Sequence, residues 1–205
     1  MSLYDERPSN IDGFEPEKEM LSLYSNVSEQ MSTLMDFDDS VIYLTNDIDD
    51  TTLVDLMIRI RAIIKNRSEE NADEPINIII NSPGGSFFDM IGIIDYFESL
   101  SVKINTICRG QALSAAAIIL ACGTGTRMMS KRSVVMFHQS SSFLDGKMSD
   151  LSSYLEYVKQ LESTVYNTLA ERTKKDAAWW KDQMKSDLFL TAEQLLEYGV
   201  IDVII

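Results

Sequence analysis

The stretch "INIIINSPGGSFFDMIGIIDYFESL", Ile76 to Leu100, restricts the fold more than any other part of the chain. Isoleucines crowd its first half, and β-branched side chains suit a pleated strand. A short, nearly continuous apolar run predicts a strand buried on both faces, as in a parallel sheet. "SPGGS" breaks the run, and apolar residues then recur at helical spacing. A buried strand, a tight turn and a helix form the repeating unit of an α/β fold.

The same alternation continues on both sides. "SVIYLT" reads as a strand, and Asp50 or Thr51 as the cap of a helix over "TTLVDLMIRIRAIIKNR". "SEENADEP" is a charged loop. "VKINTIC" is a strand, "RGQALS" a turn, and "SAAAIILAC" an alanine-rich buried helix. "GTGT" is a turn, "RMMS" a short strand and "SVVMFH" an apolar strand. "MSDLSSYLEYVKQLESTVYNTLAERT" is a long amphipathic helix and "KKDAAWWKDQMKS" a second one. "TAEQLLEYG" carries a threonine cap and a glycine stop, and "VIDVII" closes the chain as a strand. Strands alternating with helices predict mostly parallel pairing. Residues 1–38 are polar and acidic, with Pro8, Gly13 and Pro16; they read as a partly flexible N-terminal extension with a short helix within 17–35. One domain is expected over 39–205.

Composition removes several functions. The formal net charge of −14, with scattered Lys and Arg, excludes the basic stripe that nucleic acid requires. No apolar stretch reaches the roughly 18 residues of a membrane helix. Cys108 and Cys122 both lie in apolar context, which fits reduced core thiols in a cytoplasmic protein. One histidine and two separated cysteines do not build a zinc site, so neither metal nor cofactor is expected.

Three features could carry chemistry. "SPGGS" joins a buried strand to a helix and exposes backbone N–H groups, which suit an anion or a developing oxyanion. It lacks the phosphate-loop pattern, and "GTGTRM" lacks the third glycine of a dinucleotide fingerprint. In "GQALSAAA", Ser114 opens an apolar helix. It is either a plain helix cap or a nucleophile whose helix amide, on Ala115, meets the oxyanion. His138 is the only histidine, so any serine–histidine chemistry must use it. The third, orienting group stays open at this level: Asp176, Asp182, Asp187, Glu193 and Asp202 all follow. The order serine, histidine, acid differs from that of α/β-hydrolases, chymotrypsin and subtilisin.

In sequence order, "SVIYLTNDIDD", "IIINSPGGS", "TICRGQALSAAA", "VVMFHQ" and "DLFLTAEQLLEYGVID" resemble motifs of the proteolytic subunit of the Clp protease, the ClpP family. The resemblance covers roughly Asp39 to Ile205. It implies a spiral of ββα units, shared with the crotonase superfamily, with a long protruding handle helix from about Met148 to Arg172. It implies a serine endopeptidase that cleaves unfolded proteins or peptides, with Ser114 as nucleophile, His138 as base and Asp187 as the triad acid. The amides of Gly85 and Ala115 would form the oxyanion hole. Substrate contacts would fall on Ser86, Phe87, Phe88, Gln139, Ser140 and Ser141. Such subunits form two stacked heptameric rings around a chamber fed by an AAA+ unfoldase.

Several positions depart from that family. "HQSSSFLDG" replaces a proline and a glycine-rich stretch after the histidine. Phe87, Phe88 and Asp89 replace small or aliphatic residues after "SPGG", which predicts an altered pocket for the substrate side chain. The unfoldase docking pocket, expected to include Asn77, Ser99 and Arg109, is altered by a charge. Two other functions are compatible with the same architecture: a regulatory or assembly subunit of a mixed ring, and a crotonase-type acyl-CoA enzyme.

Overall fold

The structure is a computed structural model that describes residues 40–139 and 148–205. The expected N-terminal extension and Ser140 to Phe143 lie outside them. Strand β1 (Val41–Leu44) leads to helix α1 (Asp50–Asn66) and strand β2 (Ile76–Ser82). Helix α2 (Phe87–Ser99), strand β3 (Ile104–Leu113) and helix α3 (Ala115–Ala121) follow. Strands β4 (Arg127–Met129) and β5 (Val134–Phe137) precede the long helix α4 (Met148–Arg172). Helix α5 (Ala177–Gln183), strand β6 (Leu188–Leu190), helix α6 (Ala192–Tyr198) and strand β7 (Val203–Ile204) complete the chain.

The sheet order is β1-β2-β3-β4-β7, with β5 on the far half of β3 and β6 beside β5. Every pairing is parallel except β5 with β6. This is the expected α/β fold. The handle helix occupies the expected span: residues 156–164 are mostly exposed, whereas Val165, Tyr166 and Leu169 further along it are buried.

Four local expectations need correction. Asp49 caps α1, not Asp50 or Thr51; its side chain accepts from Thr52 N at 2.8 Å. Strand β2 is fully buried on one face only: Ile76, Ile78 and Ile80 are inaccessible, while Asn77 and Ile79 are half-buried and Asn81 is exposed. "RGQALS" is not a turn. Strand β3 continues to Leu113 because Gly110, at φ +105°, absorbs a register shift against β2. Distant side chains hold that irregularity, with Asn81 Oδ1 accepting from Gln111 N at 3.1 Å and Ser133 Oγ from Gly110 N at 2.9 Å. The shift lets one strand pair first with β4 and then with β5. Finally, β6 was not foreseen as a strand.

The core sits between the sheet and α1, α2 and α3. Helix α3 is buried along its whole length, and its alanines let it lie close to β3. Thr106 is buried there and donates to Leu120 O at 2.8 Å. Trp180 fills the space between Phe137 and Trp179, and its indole N–H donates to Thr173 Oγ1 at 3.0 Å.

Candidate active site

Two loops and two strand ends converge at one end of the sheet. The turn after β2 is pinned by buried Ser82, whose hydroxyl donates to Asn46 O at 2.7 Å and accepts from Gly84 N at 3.1 Å. Gly84 O accepts from Ile48 N, and Ile48 O from Ser86 N. Gly84 and Gly85 sit at φ +97° and +154°, positions that disfavour a side chain. Between these bonds, the Gly85 amide has no acceptor among the described residues.

Ser114 stands at the N-cap position of α3 but does not act as a cap. Its side chain makes no capping hydrogen bond, and its backbone is strained at φ +55°, ψ −123°. Its amide donates to Met136 O at 2.8 Å, which ties the residue to β5. The hydroxyl lies 2.7 Å from His138 Nε2. The Ala115 amide, first in α3, likewise has no acceptor among the described residues.

Sheet register explains the meeting of three distant residues. Leu113 pairs with Met136 across β3 and β5, so Ser114 and His138 leave the sheet side by side. Phe137 pairs with Leu188 across β5 and β6, so Asp187 precedes the partner of the residue before His138. Asp187 Oδ1 is 3.8 Å from His138 Nδ1, and its side chain is 61% exposed against 27% for the imidazole. Gln139 N donates to Met184 O at 3.1 Å and holds the segment after the histidine.

The other acidic candidates are occupied elsewhere or remote. Asp176 caps α5 and accepts from Trp179 N at 2.7 Å. Asp182 pairs with Lys185 at 2.6 Å. Asp202 takes the Arg127 guanidinium in two bonds of 2.6 and 3.0 Å. Glu193 is exposed in the first turn of α6. Burial pushes the Cys108 thiol up to about 11, against a hydrogen bond from Ser133, and Cys122 up to about 12. Neither is a thiolate near neutral pH.

A cleft of about 230 Å³ opens beside Ser114 and His138. Gly85, Ser86, Phe87, Ala115 and Gln139 line it. Phe88 does not: it is 61% exposed and packs edge to face with Phe87, the ring centres 5.7 Å apart. Ser140 and Ser141 lie outside the described residues. Sequence reasoning missed Met90, Ile118, Glu162, Val165, Tyr166 and Met184. For the residues of α4 the signal was available, because 162, 165, 166 and 169 share one helix face.

The family model for Clp protease matches residues 25–205. The chain belongs to the Clp protease family. It is 35% identical over 172 residues to the ATP-dependent Clp protease proteolytic subunit 1 of Mycolicibacterium paratuberculosis, covering 82% of this chain and 80% of that one. Identity is 34% over 172 residues to subunit 2 of Mycobacterium tuberculosis, covering 82% and 78%. It is 35% over 168 residues to subunit 1 of Corynebacterium glutamicum, covering 81% and 79%. This Clp-family chain is accordingly a peptidase. The family match begins ahead of β1, inside the segment that the sequence sets apart as an extension. No helix among the described residues is long and apolar enough to cross a membrane.

Proposed function

We propose that the chain is a serine endopeptidase subunit of a self-compartmentalised ring protease, acting through Ser114, His138 and Asp187. The observation that carries this is the 2.7 Å contact of Ser114 Oγ with His138 Nε2, made by a serine held in a strained backbone and bonded to no helix amide. His138 takes the Ser114 proton as Oγ attacks a peptide carbonyl, then returns it to the leaving amine. The carbonyl oxygen becomes an oxyanion between the amides of Gly85 and Ala115. Water then attacks the acyl-enzyme by the same route. Asp187 fixes the imidazole tautomer and stabilises the imidazolium. For that it closes on Nδ1 by about 1 Å, since such hydrogen bonds tighten when substrate binds.

Relatives named as ATP-dependent Clp protease proteolytic subunits support an ATPase partner for this chain. The chain assembles with copies of itself, as two stacked heptameric rings, and receives polypeptide from an AAA+ ATPase. Arg109 is exposed at the expected docking pocket and alters it. Two free, buried cysteines accord with a cytoplasmic setting.

A fluorophosphonate probe tests the reading. The parent protein labels at Ser114 and cleaves unfolded polypeptide; Ser114→Ala does neither, with cleavage falling about four orders of magnitude or more. Undiminished cleavage by Ser114→Ala refutes the assignment.

A further inference from the structure

The cleft beside Ser114 combines an apolar lining with one unexplained carboxylate. Phe87, Met90, Ile118, Val165 and Met184 supply its apolar surface. Glu162 lines it too, from α4. It stands three and four residues before Val165 and Tyr166, which are both buried, so it belongs to the stripe that α4 turns toward the cleft. Glu162 is itself half-buried, and its carboxylate makes no ion pair or hydrogen bond among the described residues. The polar neighbour on the same face is engaged, since the Tyr166 hydroxyl accepts from Gln139 Nε2 at 3.4 Å. The Tyr166 phenol is raised above its ordinary value, first by burial, with a further upward push from the Glu162 charge that the Gln139 bond opposes. Glu162 and Tyr166 therefore stand together on the wall of the cleft.

A half-buried carboxylate without a partner loses solvation and gains nothing in return. A cation placed beside it restores the balance. The geometry of attack limits which substrate group arrives there. The cleft opens beside Ser114, Gly85 and Ala115, so a substrate whose scissile carbonyl sits at those groups can reach it with the side chain on the acyl side of that bond. Lysine and arginine match such a lining: the aliphatic stem lies on apolar surface while the charged head meets the carboxylate.

We propose that Glu162 gives this peptidase a preference for lysine or arginine on the acyl side of the scissile bond. The inference rests on the serine-peptidase reading and deepens it. Glu162 is a specificity residue and takes no part in bond breaking.

The test uses the assembled full chain and two peptidyl phosphonate diphenyl esters that differ only in a lysine or a leucine side chain at the acyl position. The rate of Ser114 modification is followed by mass spectrometry, with a plain fluorophosphonate as reference. The lysine probe reacts about tenfold faster than the leucine probe. Glu162→Gln, a near-isosteric change, removes that ratio, and Glu162→Lys inverts it. The net charge of −14 attracts any cation from a distance, so the ratios are repeated near 1 M salt, where the screening length is about 3 Å. A local effect of Glu162 persists there. If leucine reacts as fast as lysine while the fluorophosphonate labels Ser114, or if both variants keep the parent ratio, the specificity assignment is wrong and the peptidase reading stands. If the fluorophosphonate also fails to label Ser114, the serine-peptidase reading fails and this inference falls with it.

Discussion

Replacing Gly84 by alanine tests how the turn after β2 holds the reacting geometry. A Cβ at that position lies 2.5 Å from Leu113 O and 2.8 Å from Ser114 Cβ. Ordinary van der Waals contact starts near 3.4 Å, so the intrusion amounts to roughly 0.9 Å on the carbonyl and roughly 0.6 Å on the serine. Neither neighbour is the tip of a flexible side chain. The backbone also sits at φ +97°, a region that costs a non-glycine residue about 1–3 kcal/mol. Relief comes by moving the turn away from Ser114, and the turn carries the Gly85 amide with it. A displacement approaching 1 Å between nucleophile and oxyanion donor is worth about a hundredfold in rate. The expected result is a loss of about a hundredfold in kcat/KM for peptide cleavage, with the far-ultraviolet circular dichroism retained. Gly92→Ala is the control, because there the new Cβ meets a Leu53 methyl group at 3.0 Å and the helix gains about 1 kcal/mol of propensity. A Gly84→Ala protein that keeps its fold and stays within about threefold of the parent rate rules out this role for the turn.

Two further outcomes are expected. Partial burial pushes the Asp202 carboxyl up, but the hydrogen bonds and charge of Arg127 outweigh it and leave the group below its ordinary value. Its contribution is therefore complete above the unfolded value of about 4 and is lost as pH falls through the lowered one. Asp202→Asn lowers Tm at pH 7, and the difference from the parent shrinks as pH falls below about 4; a difference independent of pH contradicts the ion pair as its source. Cys108 and Cys122, raised to about 11 and about 12 by burial, stay unreactive toward a disulfide reagent at pH 8 until the chain unfolds. Stoichiometric reaction in the folded protein would show that these sites open.

The sequence spoke clearly where the determinants are local. Thr191 and Gly199 mark the ends of α6, and the structure contains the full reciprocal cap, with Thr191 Oγ1 accepting from Gln194 N and Gln194 Oε1 from Thr191 N. The long period-3.6 pattern gave α4 its observed span. Non-local determinants stayed hidden. Gly110 reads as a turn residue, yet Asn81 and Ser133, both far off in sequence, turn it into a kink within β3. Asp49, Asp50 and Thr51 can each cap a helix, and only the extended backbone at Asp49 decides among them. Glu162 looked like an ordinary polar residue of a helix because its face is defined by what packs against α4.

The choice between cap and nucleophile for Ser114 illustrates the same divide. A capping serine has an ordinary extended backbone and returns its hydroxyl to the helix, as Thr191 does in α6. Ser114 does the reverse on both counts: φ is +55° and the hydroxyl points to His138. A non-glycine residue keeps such a conformation only where its surroundings enforce it. Here the enforcing contacts can be named. Its amide is bonded to Met136 O in β5, its carbonyl accepts from Ala117 N at 3.0 Å, and Gly84 leaves no room behind it. An alanine or glycine cap would relieve none of these constraints, since they act on the backbone. The strain belongs to the position, and what the serine adds is the hydroxyl aimed at the only imidazole in the chain.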